Sequence, residues 1–292
     1  MKPKVSIILV NYNGTKDTID CINSLNKIMY ENYEIIVVDN ASENQDELQS
    51  KIPENVILIK SKQNLGFSGG NNLGIEYAMN HNSSYVLLLN NDTIVKKDFL
   101  NHLVEISEKS KNVGIVTGKI LCYSEPNIIW FGGGEINLEK AMVRHLDAGK
   151  TDRMKREIKE ISFASGCLML ISKETIFKVG ILDESYFMYS EDVDYCCRVA
   201  KANIRILYTS KSIIYHKVSV STGGKNSSFT QYYRTRNDMI VINRYAKNKK
   251  KAFFYYLLRL IKRNLLGQFQ FQYTLEGVKA YFRGEKGKSD RF

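Results

Sequence analysis

Tyr85-Val-Leu-Leu-Leu-Asn-Asn-Asp92 decides how this chain is read. Five apolar residues bounded by polar ones read as a strand buried on both faces, the pattern of a parallel sheet. A carboxylate just past the carboxyl end of such a strand stands where open α/β sheets bind ligands. A hard cation such as Mg2+ or Mn2+ takes oxygen ligands, often one or two protein carboxylates together with a substrate's phosphates. Asp92 is therefore a candidate metal ligand beside a diphosphate, against the plainer reading of an Asp that caps the next turn.

Apolar runs alternate with helical patterns on both sides of this strand. Residues 4–10, 33–39, 55–60 and 113–121 read as further strands. A helix starts at Thr15 or Asp17 and runs to about Ile28, with Ile19, Ile22 and Leu25 at helical spacing. Short helices are predicted from Asp46 to Lys51 and from Lys97 to Lys109, and a Gly/Asn-rich loop, 64–72, leads into a helix ending near Asn80. The alternation predicts an α/β fold with a mostly parallel, doubly wound, twisted sheet flanked by helices. The second half is more mixed. It holds Trp130-Phe-Gly-Gly-Gly134, a charged stretch from Lys150 to Glu160 expected to be mobile, and a loop entering a strand over 163–171. A helix from Ser190 to Ala202 and strands at 204–208 and 213–216 follow.

With 292 residues, 43% hydrophobic and 25% charged, the chain has ordinary globular composition. No apolar run approaches the ~20 residues of a spanning helix. The opening Met-Lys-Pro-Lys and the short run after it lack the pattern of a signal peptide, so a cytoplasmic protein is expected. Five cysteines, an odd number without metal-ligand spacing, read as reduced packing residues. The net charge of +11 is unevenly placed: from Arg244 onward there are 13 Lys/Arg against 3 Asp/Glu, and the body is close to neutral. That excess belongs to a tail without a recognition motif, so no nucleic-acid partner is expected. In the tail, Lys247, Lys249, Lys250 and Lys251 precede Phe253, Leu257, Ile261 and Leu265 at four-residue intervals, with Phe254 and Leu258 beside them. Residues 244–292 thus read as a basic amphipathic C-terminal helical extension, lying on an anionic membrane surface or packed on the body.

The first strand ends in Asn11-Tyr12-Asn13-Gly14 and the second in Asp39-Asn40, at the same sheet edge as Asp92. A carboxylate with a nearby aromatic suits a pyrimidine base. A single glycine in the first βα turn excludes the dinucleotide fingerprint. Gly66, Gly69, Gly70 and Gly74 would let backbone approach a diphosphate or sugar, or form a turn that holds no ligand; their spacing is not a Walker A loop. Glu191, Asp192 and Asp194 open a predicted helix after the aromatic run Tyr186-Phe-Met-Tyr189. Three carboxylates within four residues exceed what a helix cap needs, and one could act as general base for a sugar hydroxyl. His216, closing the last strand, is a candidate nitrogen ligand.

Five segments carry a resemblance: residues 5–14, 37–42, 64–72, 87–92 and 189–194, in that order. Together they resemble a family 2 glycosyltransferase of GT-A fold, close to the bacterial rhamnosyltransferase-like branch, over about residues 4–243. The resemblance implies a domain at 1–243, with a nucleotide-sugar half at 1–121 and an acceptor and catalytic half at 122–243. It makes Asp92 the last position of a DXD motif whose first position is here Asn90, and His216 a second metal ligand for Mg2+ or Mn2+. Asp192 becomes the base, in a Glu-Asp motif with Glu191. Donor-binding positions are Asn11, Tyr12, Asn13, Asp39, Asn64, Gly66, Gly69, Gly70, Asn90 and Asn91, with Arg236, or in its stead Arg234, toward the diphosphate. Acceptor-binding positions are Trp130, Gly166 and Tyr189. The implied reaction is inverting transfer from a nucleotide-sugar donor, dTDP-rhamnose or another dTDP- or UDP-sugar. The acceptor is a hydroxyl of a glycan or lipid-linked glycan in cell-surface polysaccharide synthesis, at the inner face of the cell membrane. A nucleotidyltransferase would want a Gly-rich basic loop after the first strand, where Lys16 is the only support. A non-catalytic carbohydrate- or membrane-binding module would have no use for the acidic cluster.

Overall fold

The computed structural model describes residues 2–153, 157–218 and 227–291. The chain opens with β1 (Val5–Asn11), α1 (Thr15–Leu25), β2 (Tyr33–Asp39), α2 (Gln45–Lys51), β3 (Ile57–Lys60), α3 (Gly66–Asn80) and β4 (Tyr85–Leu89). It continues through β5 (Thr93–Val95), α4 (Phe99–Lys109), β6 (Val113–Cys122), β7 (Ile129–Phe131), β8 (Gly134–Asn137), β9 (Met142–His145), β10 (Ile158–Ile161) and β11 (Leu168–Ser172). Then come α5 (Lys173–Val179), α6 (Glu191–Lys201), β12 (Arg205–His216), α7 (Ser228–Tyr245), α8 (Lys249–Leu265) and α9 (Phe271–Phe282).

The main sheet has the order β10-β12-β6-β11-β4-β1-β2-β3. It is mostly parallel, as expected, with β11 running antiparallel to both β4 and β6. All of β4 is buried; each fully buried leucine such as Leu87 or Leu88 contributes about 2 kcal/mol relative to exposure. β1 lies between β2 and β4, so the order of winding reverses at its edge. The crevice beyond the carboxyl ends of β1 and β4 is the binding position of such sheets.

Several local expectations are corrected. Most of the Gly/Asn-rich segment 64–72 is the start of α3 rather than a loop. Its asparagines find tertiary partners that outweigh poor helix propensity: Asn71 Nδ2 donates to Phe67 O at 2.8 Å, and Asn72 exchanges hydrogen bonds with Leu182 at 3.0 Å. Part of the stretch expected to be mobile, 158–161, is strand β10 at the sheet edge; residues 154–156 of it lie outside the described residues. The two short strands expected at 204–208 and 213–216 are one strand, β12, with a register shift between Thr209 and Ile213. α7 was not expected as a helix, and it runs past the boundary placed at 243 to Tyr245. Arg244, near its end, pairs with Asp183 at 2.5 Å and with Asp194 at 3.1 Å.

The C-terminal extension packs on the body. Gly277 of α9 lies so close to α7 that a Cβ there would stand 2.8 Å from Tyr232 O, and Ala280 is buried. α8 buries Ala252, Tyr256 and Leu260, while Phe254, Leu257, Leu258, Ile261 and Leu265 on its other side stay exposed. Among the described residues, no helix is long and apolar enough to cross a membrane.

Candidate active site

Asp92 follows β4 in a tight turn. Thr93 Oγ1 donates to Asn90 O at 2.7 Å, Asn91 Nδ2 donates to Thr18 Oγ1 at 2.8 Å, and Asn90 N donates to Cys167 O at 3.1 Å. The three residues after Asp92 form β5, which pairs antiparallel with the end of β12 in the register His216↔Thr93. That register places His216 beside Asp92, with Nε2 3.1 Å from Asp92 Oδ1. Both residues are buried, and the Trp130 ring packs edge-on to the imidazole at 4.6 Å. Burial opposes a charge on His216, but the adjacent Cys167 sulfur and Asp92 carboxylate more than reverse this and raise its pKa to about 10. Once a cation displaces the imidazole proton, the pair offers one oxygen and one nitrogen donor, and among the described residues no group of three His, Cys, Asp or Glu could by itself hold a metal ion. Two protein ligands fit a hard cation whose shell is completed by a diphosphate, and do not fit a closed all-protein metal cage.

Asp192 and Glu191 open α6. The helix is entered through Tyr189 (φ 69°) and Ser190 (φ 70°), both in the left-handed region that L-residues avoid. α7 holds this turn in place. Asn237, fully buried, donates through Nδ2 to Met188 O and Tyr189 O at 2.9 Å each, and Ser190 Oγ donates to Asp238 Oδ1 at 2.8 Å. Asp192 accepts from Val193 N at 2.8 Å and from Gly166 N at 3.1 Å. Burial raises its pKa, opposed by those two N–H groups and by the positive charge of Arg234. Burial, and next the charge of Asp192, push Glu191 well above the ordinary carboxylate range. Burial and the charge of Asp192 thus both disfavour a negative charge on Glu191. Asp194 is turned into the fold, bound to Arg198, Arg244 and the Tyr245 hydroxyl, so it is not available as a base.

One cleft of about 1180 Å³ joins these groups. It exceeds the volume usual for a single small ligand and has room for a donor and an acceptor together. Its wall includes Asp92, His216, Glu191 and Asp192, the acceptor-side expectations Trp130, Gly166 and Tyr189, and Tyr12, Asn64, Gly66, Asn90 and Asn91 from the donor set. At Gly66 (φ +70°), a Cβ would collide with Phe187 O, so only glycine fits there.

Other expected residues stand away from this wall. Asn11, Asn13 and Asp39 lie outside the cleft wall. Asn11 and Ser42 instead hold Asp39 Oδ1, at 3.0 and 2.5 Å, while Asp39 Oδ2 is buried without a partner among the described residues. Gly69 and Gly70 do not reach the cleft either; a Cβ on Gly70 would stand 2.8 Å from Val10 Cγ1, so its role is close packing of α3 on β1. Arg236 is corrected outright. It is fully buried, its Nε donates to Asn237 Oδ1 at 2.9 Å, and its guanidinium stacks over Tyr233 at 4.9 Å. Two residues earlier on α7 the chain points the other way, and Arg234 lines the cleft in its place. Asn40, Asn71, Tyr256, Arg259 and Arg263 are wall residues that sequence reasoning missed. Asn40 follows a strand end and was findable; the three from α8 had no local signal.

Residues 6–180 match the model of the glycosyl transferase family 2. The low-salt glycan biosynthesis hexosyltransferase Agl10 of Haloferax volcanii is 30% identical over 247 residues, 83% of this chain and 76% of that protein. The poly-β-1,6-N-acetyl-D-glucosamine synthase of Staphylococcus aureus is 26% identical over 258 residues, and this chain spans only 60% of its length. Among solved structures, GalNAc-T7 with UDP, GalNAc and Mn2+ superposes with a TM-score of 0.67 at 18% identity, over 85% of this chain and 49% of that one. The mannosyltransferase PcManGT of Pyrobaculum calidifontis, in complex with GDP-Man and Mn2+, gives a TM-score of 0.60 at 12% identity, over 98% of this chain and 89% of that one. At these identities the structural likenesses establish the fold, which is GT-A.

Proposed function

The chain belongs to glycosyl transferase family 2, and from that premise we propose that it inverts configuration as it moves a sugar from a nucleoside-diphosphate donor to an acceptor hydroxyl. The observation that carries this reading is a base-competent Asp192 in the same cleft as the Asp92–His216 pair. Asp192, held by Gly166 N and Val193 N, takes the proton of the acceptor hydroxyl. That oxygen forms a bond to the anomeric carbon from the face opposite the diphosphate, whose bond to the same carbon breaks. Burial and the Asp192 charge disfavour a second negative charge on Glu191 beside it. Asp92 and His216 would hold Mg2+ or Mn2+, which when bound supplies neutralising charge to the leaving diphosphate.

Tyr12, Asn40, Asn64 and Gly66 form the donor wall in this reading. Asp39 Oδ2, buried without a partner among the described residues, is the acceptor for the ring N–H of a pyrimidine in this reading. The GDP-Man and Mn2+ of the mannosyltransferase structure support a nucleotide-sugar donor and a divalent metal, and the hexosyltransferase Agl10 supports a hexose. Within that class we assign a dTDP- or UDP-sugar, dTDP-rhamnose among them. The acceptor is a glycan or lipid-linked glycan, met at the inner face of the cell membrane. The exposed Phe254, Leu257, Leu258, Ile261 and Leu265, with Lys249, Lys250 and Lys251 at the start of the same helix, support a peripheral attachment there.

The test is a panel of nucleotide-sugars incubated with the full chain, Mn2+ and candidate oligosaccharide acceptors, reading free nucleoside diphosphate and product mass. One donor is expected to be consumed in step with a new glycoside. No consumption of any donor, or cleavage yielding nucleoside monophosphate and sugar phosphate, would sink the proposal.

A further inference from the structure

The strand that carries His216 stops at that residue. Two positions on, the chain turns through Val218 (φ 56°), a left-handed conformation that a β-branched residue adopts only where its surroundings hold it. Strand ends open more readily than strand centres, yet a metal site works only with ligands held to about 0.5 Å. Something must fix this end.

Lys217 stands between the strand end and the turn. Its backbone N–H donates to Asp92 O at 2.9 Å, which closes the Asp92–His216 pair from the main-chain side. Its side chain crosses to α1, where Nζ donates to Asp17 Oδ1 at 2.9 Å and to Asp20 Oδ2 at 2.6 Å. The ammonium also lies 5.7 Å from the centre of the Tyr123 ring. Only 15% of the side chain is exposed, so water and salt screen these pairs less than they screen a surface ion pair. One residue thus ties together the end of β12, the turn after β4 and α1. The helix is a firm anchor, because Thr18 Oγ1 donates to Asn11 Oδ1 at 2.9 Å and accepts from Asn91 Nδ2 at 2.8 Å.

Charge gives a second reason for the arrangement. A free ammonium one residue from His216 would repel an incoming cation. Asp17 and Asp20 cancel it: one positive and two negative formal charges leave the group at −1. The lysine can therefore hold the strand end without opposing the metal.

We propose that Lys217, held by Asp17 and Asp20, is a positioning residue for the metal-binding pair, fixing His216 against Asp92. Without it the site loses its grip on the cation and keeps its nucleotide wall. This rests on Asp92 and His216 being the metal ligands.

Calorimetry on the full chain tests it, with UDP and dTDP as probes, each titrated once with saturating Mn2+ and once in chelator. The ratio of the two affinities is the metal's contribution. Wild type is expected to bind at least one probe ~10-fold or more tightly with Mn2+. Lys217→Met keeps the aliphatic stem and should lose about 10-fold of that gain, in the range for residues that orient metal ligands, with affinity in chelator unchanged. Lys217→Arg, which can still reach both carboxylates, should retain the gain. Asp17→Asn/Asp20→Asn should reproduce the loss and add little to Lys217→Met, because the three groups act as a unit. Thermal melts establish that the variants are folded. A full Mn2+ gain in Lys217→Met would overturn the proposal. Equal losses with Mn2+ and in chelator would overturn it too, since the lysine would then meet the nucleotide itself or support the fold at large. A wild type with no Mn2+ gain would overturn the metal reading, and the positioning role with it; failure of the positioning role alone shows only in the variants.

Discussion

Replacing Asp192 with Asn tests the proposed chemistry at its centre. The amide keeps the size of the carboxylate and can still accept from Val193 N, now 2.8 Å from Oδ1. It cannot take a proton. On the other side its NH2 would face Gly166 N, which now donates to Oδ2 at 3.1 Å, so one hydrogen bond is lost. A single bond of this kind is worth about 1 kcal/mol, which lowers Tm by only a few degrees in a domain of this size. General-base catalysis is worth roughly 10²–10⁴-fold, or about 3–5 kcal/mol in the barrier. The two effects are therefore separable. Asp192→Asn is expected to melt near wild type, bind donor nearly as well, and lose at least about 100-fold in turnover. Nucleoside-diphosphate release under saturating donor and acceptor measures this, with calorimetry for donor affinity. The wild-type pH profile adds an independent check. Burial raises the pKa of Asp192, so activity falls as pH drops through a range above that of an ordinary aspartate, and the limb belongs to the Glu191–Asp192 pair as a whole. A variant retaining more than about a tenth of wild-type turnover would refute Asp192 as the base.

Glu191→Gln is expected to raise Tm at pH 8 and to change it little at pH 5. The native state holds a proton on Glu191 that the unfolded chain releases at high pH, so stability from this group is present below the ordinary carboxylate pKa and lost as pH rises; equal shifts at both pH values would contradict that. Asp92→Ala, or excess chelator on the wild type, should raise the donor KM and lower kcat together, because only His216 remains on the protein side; full activity in chelator would show that no metal is used. Leu257→Glu/Ile261→Glu changes only exposed positions of α8, and should abolish co-sedimentation with anionic vesicles at low salt without lowering Tm, whereas unchanged sedimentation would remove the membrane role. Truncation after Tyr245 is the poorer test, since it strips Tyr256, Leu260 and Ala280 from the cores they fill.

The strands and helices of the first half were legible because each is specified locally. β4 is an unbroken apolar run, and α1 buries Cys21, Ile22 and Leu25 at helical spacing. α3 was misread because its Gly and Asn residues are helical only through tertiary bonds, such as Asn72 with Leu182, 110 positions away. Asp92, His216 and Asp192 were each visible at the end of an element. Their meeting depends on the β5–β12 register and on the Gly166 loop, which no local pattern encodes. Arg236 was assigned to the donor because α7 was not recognised as a helix. A helix turns residues two apart to different sides, which sends Arg236 into the core and Arg234 into the cleft. The tail showed its amphipathic spacing in sequence, but not that α8 is apolar on two sides, one closing the cleft and one facing outward.

The most direct test of the account is the anomeric configuration of the transfer product, read by proton NMR from the coupling of the anomeric proton, or by carbon–proton coupling where the sugar makes that ambiguous. With Asp192 as base and no nucleophilic carboxylate, the product should carry the configuration opposite to that of the donor sugar. Retention of the donor's configuration would contradict single displacement and require a different set of residues at the anomeric carbon.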